Sequence, residues 1–190
     1  MNDLLNTINH LLSKKASIII AIDGKCASGK TTLAHILAKI YNSDIIAMDD
    51  FFLPPSKCNP SRLSEAGGNI DYERFACEVI KPLSLNQNFD YQVYDCSQQA
   101  LTTFKHITLK QVTIIEGTYS LHPYFKDIYD LKVFCDIDTT LQHKRILQRP
   151  KWKHERFFNE WIPYEQNYFN TFNIISKCDI ILKGGHYESN

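Results

Sequence analysis

The chain has 190 residues, 44% of them hydrophobic, which is enough for a single domain, residues 1–190, with a real core. Its 21 Lys and Arg balance its 21 Asp and Glu, so it lacks the basic field that concentrates proteins on nucleic acid or anionic membranes, and a small partner is expected. The cysteines Cys26, Cys58, Cys77, Cys96, Cys135 and Cys178 are scattered without C-x-x-C or zinc spacing, and read as reduced thiols of a cytoplasmic protein.

Leu4, Leu5, Ile8, Leu11 and Leu12 recur at helical spacing, which predicts an amphipathic helix within residues 1–16. Polar residues interrupt it, so no signal core forms, and no apolar run approaches the roughly eighteen residues of a membrane span. Ser17 to Asp23 is a β-branched strand that meets Gly24, and a helix begins at Lys30. A short strand from Asp44 to Met48 leads into Asp49 and Asp50, and Pro54, Pro55 and Pro60 then enforce an irregular segment.

Asp71 is placed to cap a helix from Tyr72 to Ile80, and Phe89 to Leu109 suggests short strands or a hairpin. Val112 to Ile115 and Leu131 to Ile137 are further apolar strands. Helices are expected at Thr139 to Gln148 and from about His154 to Ile174, with Pro163 as a kink, then a strand from Asp179 to Leu182 and a polar tail. Apolar strands alternating with helices predict an α/β fold, a three-layer α/β/α sandwich around a mainly parallel sheet of about five strands.

Gly24-Lys25-Cys26-Ala27-Ser28-Gly29-Lys30-Thr31 satisfies G-x-x-x-x-G-K-[ST], between a strand and a helix as that motif requires, and Thr32 continues it. The glycines let backbone N–H groups turn toward phosphate oxygens, and the helix N-terminus adds partial positive charge. Lys30 is expected at the β- and γ-phosphates of a nucleotide, and Thr31 at its Mg²⁺.

Such a site needs acids at neighbouring strand ends. Glu116 follows one apolar strand as a Walker B type acid, and Asp49 follows another, placed to touch the metal shell and take a proton from an attacking hydroxyl. Basic residues crowd around Pro150 in a lid region at about 140–160, with Arg145 and Arg149 four apart on one face to meet the transferred phosphoryl group. Phe51, Phe52 and Tyr119 are candidates to line an acceptor pocket, and Arg62 and Arg74 to steer an anionic acceptor.

With IAIDGKCASGKTT, MDDFFLPP, GGNIDYERF, VYDC, IIEGTYSLHP and DIDTTLQHKRILQR as its anchors, the chain resembles the uridine kinase and phosphoribulokinase group of P-loop kinases, nearest to small bacterial uridine kinase-like proteins. The resemblance runs from Ile18 to about Leu182. It implies ATP with Mg²⁺, a hydroxyl acceptor of the nucleoside type, and room for a homo-oligomer. It sets Asp49 as the activating carboxylate, Thr31 and Glu116 at the metal, Asp71 on ribose hydroxyls, Tyr94 on the base, and Arg145 and Arg149 as lid arginines. After Tyr94-Asp95 the chain departs with Cys96-Ser97-Gln98-Gln99, where true uridine kinases continue toward a histidine and an arginine that read the pyrimidine.

Other classes stay open at this point. A GTPase-like switch needs D-x-x-G, which is absent, and Ser176-Lys177-Cys178-Asp179 only echoes a guanine motif. A kinase of another small alcohol, or a catalytically silent nucleotide-binding regulator, is compatible with the same motifs.

Overall fold

The computed structural model describes residues 1–184; the polar tail expected after the last strand lies outside the described residues. Helix α1 (Asn2–Leu12) leads to β1 (Ile18–Gly24), α2 (Lys30–Tyr41) and β2 (Ile45–Ala47). A proline-rich stretch with α3 (Pro60–Ser64) follows, then α4 (Tyr72–Phe75), α5 (Lys81–Ser84), and the strands β3 (Phe89–Asp95), β4 (Ala100–Ile107), β5 (Val112–Glu116) and β6 (Leu131–Asp136). The chain closes through α6 (Thr139–Leu147), α7 (His154–Arg156), α8 (Ile162–Phe172) and β7 (Ile180–Lys183).

Five strands form one sheet in the order β2-β5-β1-β6-β7, with every pairing parallel. The period of two along each strand divides the core. Ile18, Ile20 and Ile22 of β1, with Val112, Ile114, Leu131 and Val133, meet Leu4 and Ile8 of α1 and Leu33 and Leu37 of α2. Ile115 and Phe134 face the other way, onto Phe75, Tyr168 and Phe169. Each such side chain, buried from water, stabilises the fold by about 1.5–3 kcal/mol. The expected three-layer α/β architecture is what forms.

The expected hairpin is a separate two-stranded antiparallel sheet, β3 with β4. It stands on the core through Tyr91, whose ring lies 5.2 Å from that of Phe51. The two helices expected at Tyr72–Ile80 and His154–Ile174 are each interrupted by a π turn, at Ala76–Ile80 and Phe157–Trp161. Each π turn ends two residues before a proline, Pro82 or Pro163. Proline has no N–H for the carbonyl one turn back, and its ring crowds that carbonyl, so the wider turn takes up the misfit. No helix among the described residues is long and apolar enough to cross a membrane.

Candidate functional site

The carboxyl ends of β1, β2 and β5 open onto one cleft of about 1310 Å³, larger than the several hundred Å³ that one small ligand usually fills. Strand β1 enters it through Gly24, where φ is +139° and a Cβ would stand 2.2 Å from the Cys135 carbonyl oxygen. Only glycine passes there. Gly29, at φ +96°, caps α2, whose first N–H groups have no partner within the helix and face the anion position.

Cys26, Ala27, Gly29, Lys30, Thr31 and Thr32 line the cleft. Gly24, Lys25 and Ser28 are not among the residues that line it. The Lys25 ammonium pairs with Asp136 at 2.7 Å, its N–H donates to the Cys135 carbonyl, and Ser28 is fully buried beneath the loop. The Lys30 ammonium donates to the carbonyls of Gly24 and Lys25, both at 2.8 Å.

The acids gather around that ammonium. Glu116, at the end of β5, is 7% exposed and accepts from the Thr31 hydroxyl at 3.3 Å. Burial lifts its carboxyl to about 6, against the opposing pull of Lys30. Asp49 lies in the single turn after β2 and opens to water in the cleft. The depth of its position pushes its carboxyl up, chiefly by desolvation, while Lys30, Arg149 and Lys153 pull it down. Contact with cleft water limits that push until a ligand displaces the water. Asp50, by contrast, takes a hydrogen bond from the Tyr91 hydroxyl at 2.8 Å and an ion pair from Lys105 at 2.7 Å, which commits it to the hairpin.

Arg145 and Arg149 both reach the cleft; the first donates to the Ala27 carbonyl at 2.9 Å, and the second lies over the Phe157 ring at 4.8 Å. Phe52, Tyr94 and Tyr119 also line the cleft, Tyr119 from a strained φ of +81°.

Four further expectations are not met. Arg62 donates to the carbonyls of Gly68 and Ile70 and grips both oxygens of Glu73 at 2.7 Å, so it pins the loop and does not steer an acceptor. Arg74 is held by the carbonyls of Asp50 and Gln92. Asp71, 2% exposed, caps α4 and pairs with Lys57 at 2.8 Å, so its carboxylate is already engaged. Phe51 is wholly in the core.

Three buried polar positions around the glycine loop escaped sequence reasoning. Asp23 is fully buried and collects the N–H groups of Gly24, Tyr119 and Leu121 with the Tyr168 hydroxyl, which locks β1 to the turn after β5. Glu165 and Gln142 are buried acid and amide against the phosphate loop. The available signal was an acid, Glu165, one helical turn from Tyr168 and Phe169 on an apolar face.

Thr31, Glu116 and Asp49 offer the hard oxygen donors that suit Mg²⁺, which takes one or two carboxylates and completes its shell with phosphate oxygens and water. No group of three or more His, Cys, Asp or Glu set to hold a metal occurs among the described residues. Without that ion the ionised Glu116 burdens the fold. Its carboxyl titrates near 6 in the fold against an ordinary value of 4.5, so the cost is absent below about pH 4.5 and grows as pH rises through 6. Glu116→Gln is therefore expected to stabilise the ligand-free protein by about 1–2 kcal/mol at pH 8 and by nothing measurable near pH 4, read from urea unfolding at both values.

No family model matches the chain. Among curated proteins, pantothenate kinase of Brucella ovis is 24% identical over 190 residues, covering 87% of this chain and 57% of the relative. The chain thus spans little more than half the length of the curated relatives it matches. Among solved structures, that of a possible uridine kinase from Bacillus stearothermophilus has a TM-score of 0.67 at 19% identity, covering 95% of this chain and 99% of its own. Phosphoribulokinase from Rhodobacter spheroides gives 0.57 at 14% identity, with 88% and 70% covered. The α/β fold of this chain is therefore one it shares with those two structures.

Proposed function

We propose that this protein is an ATP-dependent kinase that transfers the γ-phosphoryl group to a hydroxyl of a small molecule. The observation that carries this reading is the convergence of Lys30, Thr31, Asp49, Glu116, Arg145 and Arg149 on one cleft. A phosphate cradle alone would serve any nucleotide-binding module, whereas Asp49 adds a carboxylate opposite the cradle with room beside it for an acceptor.

In this mechanism the N–H groups at the start of α2 hold the donor phosphates, and Lys30 leaves the Gly24 and Lys25 carbonyls to meet the β- and γ-oxygens. Thr31 and Glu116 would hold Mg²⁺, which when bound neutralises charge on those oxygens. Asp49 orients the acceptor hydroxyl and takes its proton as the new O–P bond forms and the bond from the γ-phosphorus to the β,γ-bridging oxygen breaks, releasing ADP. Arg145 and Arg149, brought down with the lid, offset charge on the phosphoryl group in flight and exclude water.

The resemblance gives a pyrimidine nucleoside as acceptor. Tyr94 at the cleft supports it; the engagement of Asp71 with Lys57 and the Cys96–Gln99 turn weigh toward another small alcohol. The test is ADP release from Mg-ATP against uridine, cytidine, other nucleosides and small acidic alcohols. Release that depends on one acceptor establishes the kinase; measurable ATP binding with no acceptor-dependent release from any of them would favour the silent regulator.

A further inference from the structure

The third residue of the phosphate loop is gripped from outside the loop. The Cys26 N–H donates to Glu165 Oε2 at 2.8 Å. Gln142 Nε2 donates to the Cys26 carbonyl at 3.1 Å, and it lies 3.3 Å from both Cys26 Sγ and Glu165 Oε1. Every polar atom of Cys26 is thereby engaged. Glu165 and Gln142 are 3% and 4% exposed, and a carboxylate at that depth is costly unless hydrogen bonds hold it. Desolvation pushes its carboxyl up, and Lys30 and the Cys26 N–H pull it down.

The two helices that supply this grip stand at the two ends of the lid region, α6 opening it and α8 following it. Gln142 stands one turn before Arg145 on α6, and Arg145 itself donates to the Ala27 carbonyl. Glu165 stands one turn after Trp161, where the π turn ends and α8 begins. The lid's two anchors therefore meet on the same stretch of loop, Cys26-Ala27, where φ at Ala27 is +60°. That left-handed conformation is one that alanine adopts only when its surroundings enforce it.

We propose that Glu165 is a positioning residue: with Gln142 it fixes Cys26 so that the loop keeps its anion-receiving shape before nucleotide arrives, and it ties that shape to the lid. This rests on the nucleotide-binding reading above. What Glu165 supplies is an acceptor oxygen at one place, so an amide oxygen at that place should suffice. The negative charge, by contrast, lies close to where phosphates must sit and adds nothing to their binding.

The test measures ADP affinity by calorimetry for wild type, Glu165→Gln, Glu165→Ala and Tyr168→Phe. It also measures the rate at which iodoacetamide alkylates Cys26, read peptide by peptide by mass spectrometry. Glu165→Gln is expected to bind ADP within about threefold of wild type and Glu165→Ala about tenfold more weakly, the weight of one hydrogen bond to a charged group. Tyr168→Phe removes the neighbouring bond from α8 to Asp23 and should lower the melting temperature while leaving ADP affinity unchanged.

Cys26 reports on the grip independently of any activity. Burial and Glu165 hold its thiol up at about 12, so alkylation should be slowest in wild type, faster in Glu165→Gln and fastest in Glu165→Ala. Unchanged Cys26 alkylation in Glu165→Ala would show that Glu165 does not hold the loop. Equal loss of ADP affinity in Tyr168→Phe and Glu165→Ala would reduce the role to docking of α8. If wild type binds no ADP while the alkylation order holds, the nucleotide reading fails and the grip on Cys26 stands.

Discussion

Asp49→Asn is expected to cut turnover by about 10²-fold or more while ATP affinity stays near that of wild type. The change keeps the size and one acceptor oxygen of the side chain and removes its negative charge and its ability to take a proton, leaving Thr31 and Glu116 as the other oxygen donors beside the phosphates. Asp49 reaches the cleft from the turn after β2 and lies outside the glycine loop and the start of α2, so the donor phosphates keep their principal contacts. Asp50 cannot take over, because Tyr91 and Lys105 hold its carboxylate at 2.8 and 2.7 Å. Asp50→Asn is the matched control, expected to weaken the hairpin's attachment and spare the rate. Turnover within about threefold of wild type in Asp49→Asn would move the proton to another group.

The motif residues were legible because their chemistry is local. A strand that ends in glycine, a glycine loop and a helix opening with Lys30-Thr31 dictate their own geometry within a few residues. An acid at the end of a parallel strand faces the same edge of the sheet as that loop wherever the strand sits in the order, which is why Asp49 and Glu116 could be named. Arg62, Arg74 and Asp71 were misjudged for the opposite reason. Each is a charged residue in an irregular segment, and its fate was settled by Glu73, the carbonyls of Asp50 and Gln92, and Lys57, none of which a sequence pattern pairs in advance.

Glu165 and Gln142 were invisible in a stronger sense. Their partner Cys26 lies 139 and 116 residues away, and both sit on helices whose apolar pattern reads as core packing. The π turns were half legible: Pro163 announced a break, but a kink and a widened turn leave the same mark in sequence.

Lys30→Ala is expected to lower turnover by about 10²–10³-fold, the usual weight of a cation aimed at developing charge, and to change how stability depends on pH. Lys30 draws down the carboxyls of Asp49, Glu116 and Glu165 at once, each of which burial pushes up. Without it their folded values rise further above those of the unfolded chain. An acid raised in the fold leaves stability intact at low pH and withdraws it as pH climbs through the folded value. The variant should therefore lose more stability relative to wild type at pH 8 than at pH 5, where Glu116, titrating near 6, is already largely protonated. The two hydrogen bonds from Lys30 to the Gly24 and Lys25 carbonyls are lost equally at both pH values, so the difference between the two measurements isolates the charge. An equal loss at pH 5 and pH 8 would mean that Lys30 braces the empty loop without neutralising its acids, and its part in the reaction would then begin only when phosphate arrives.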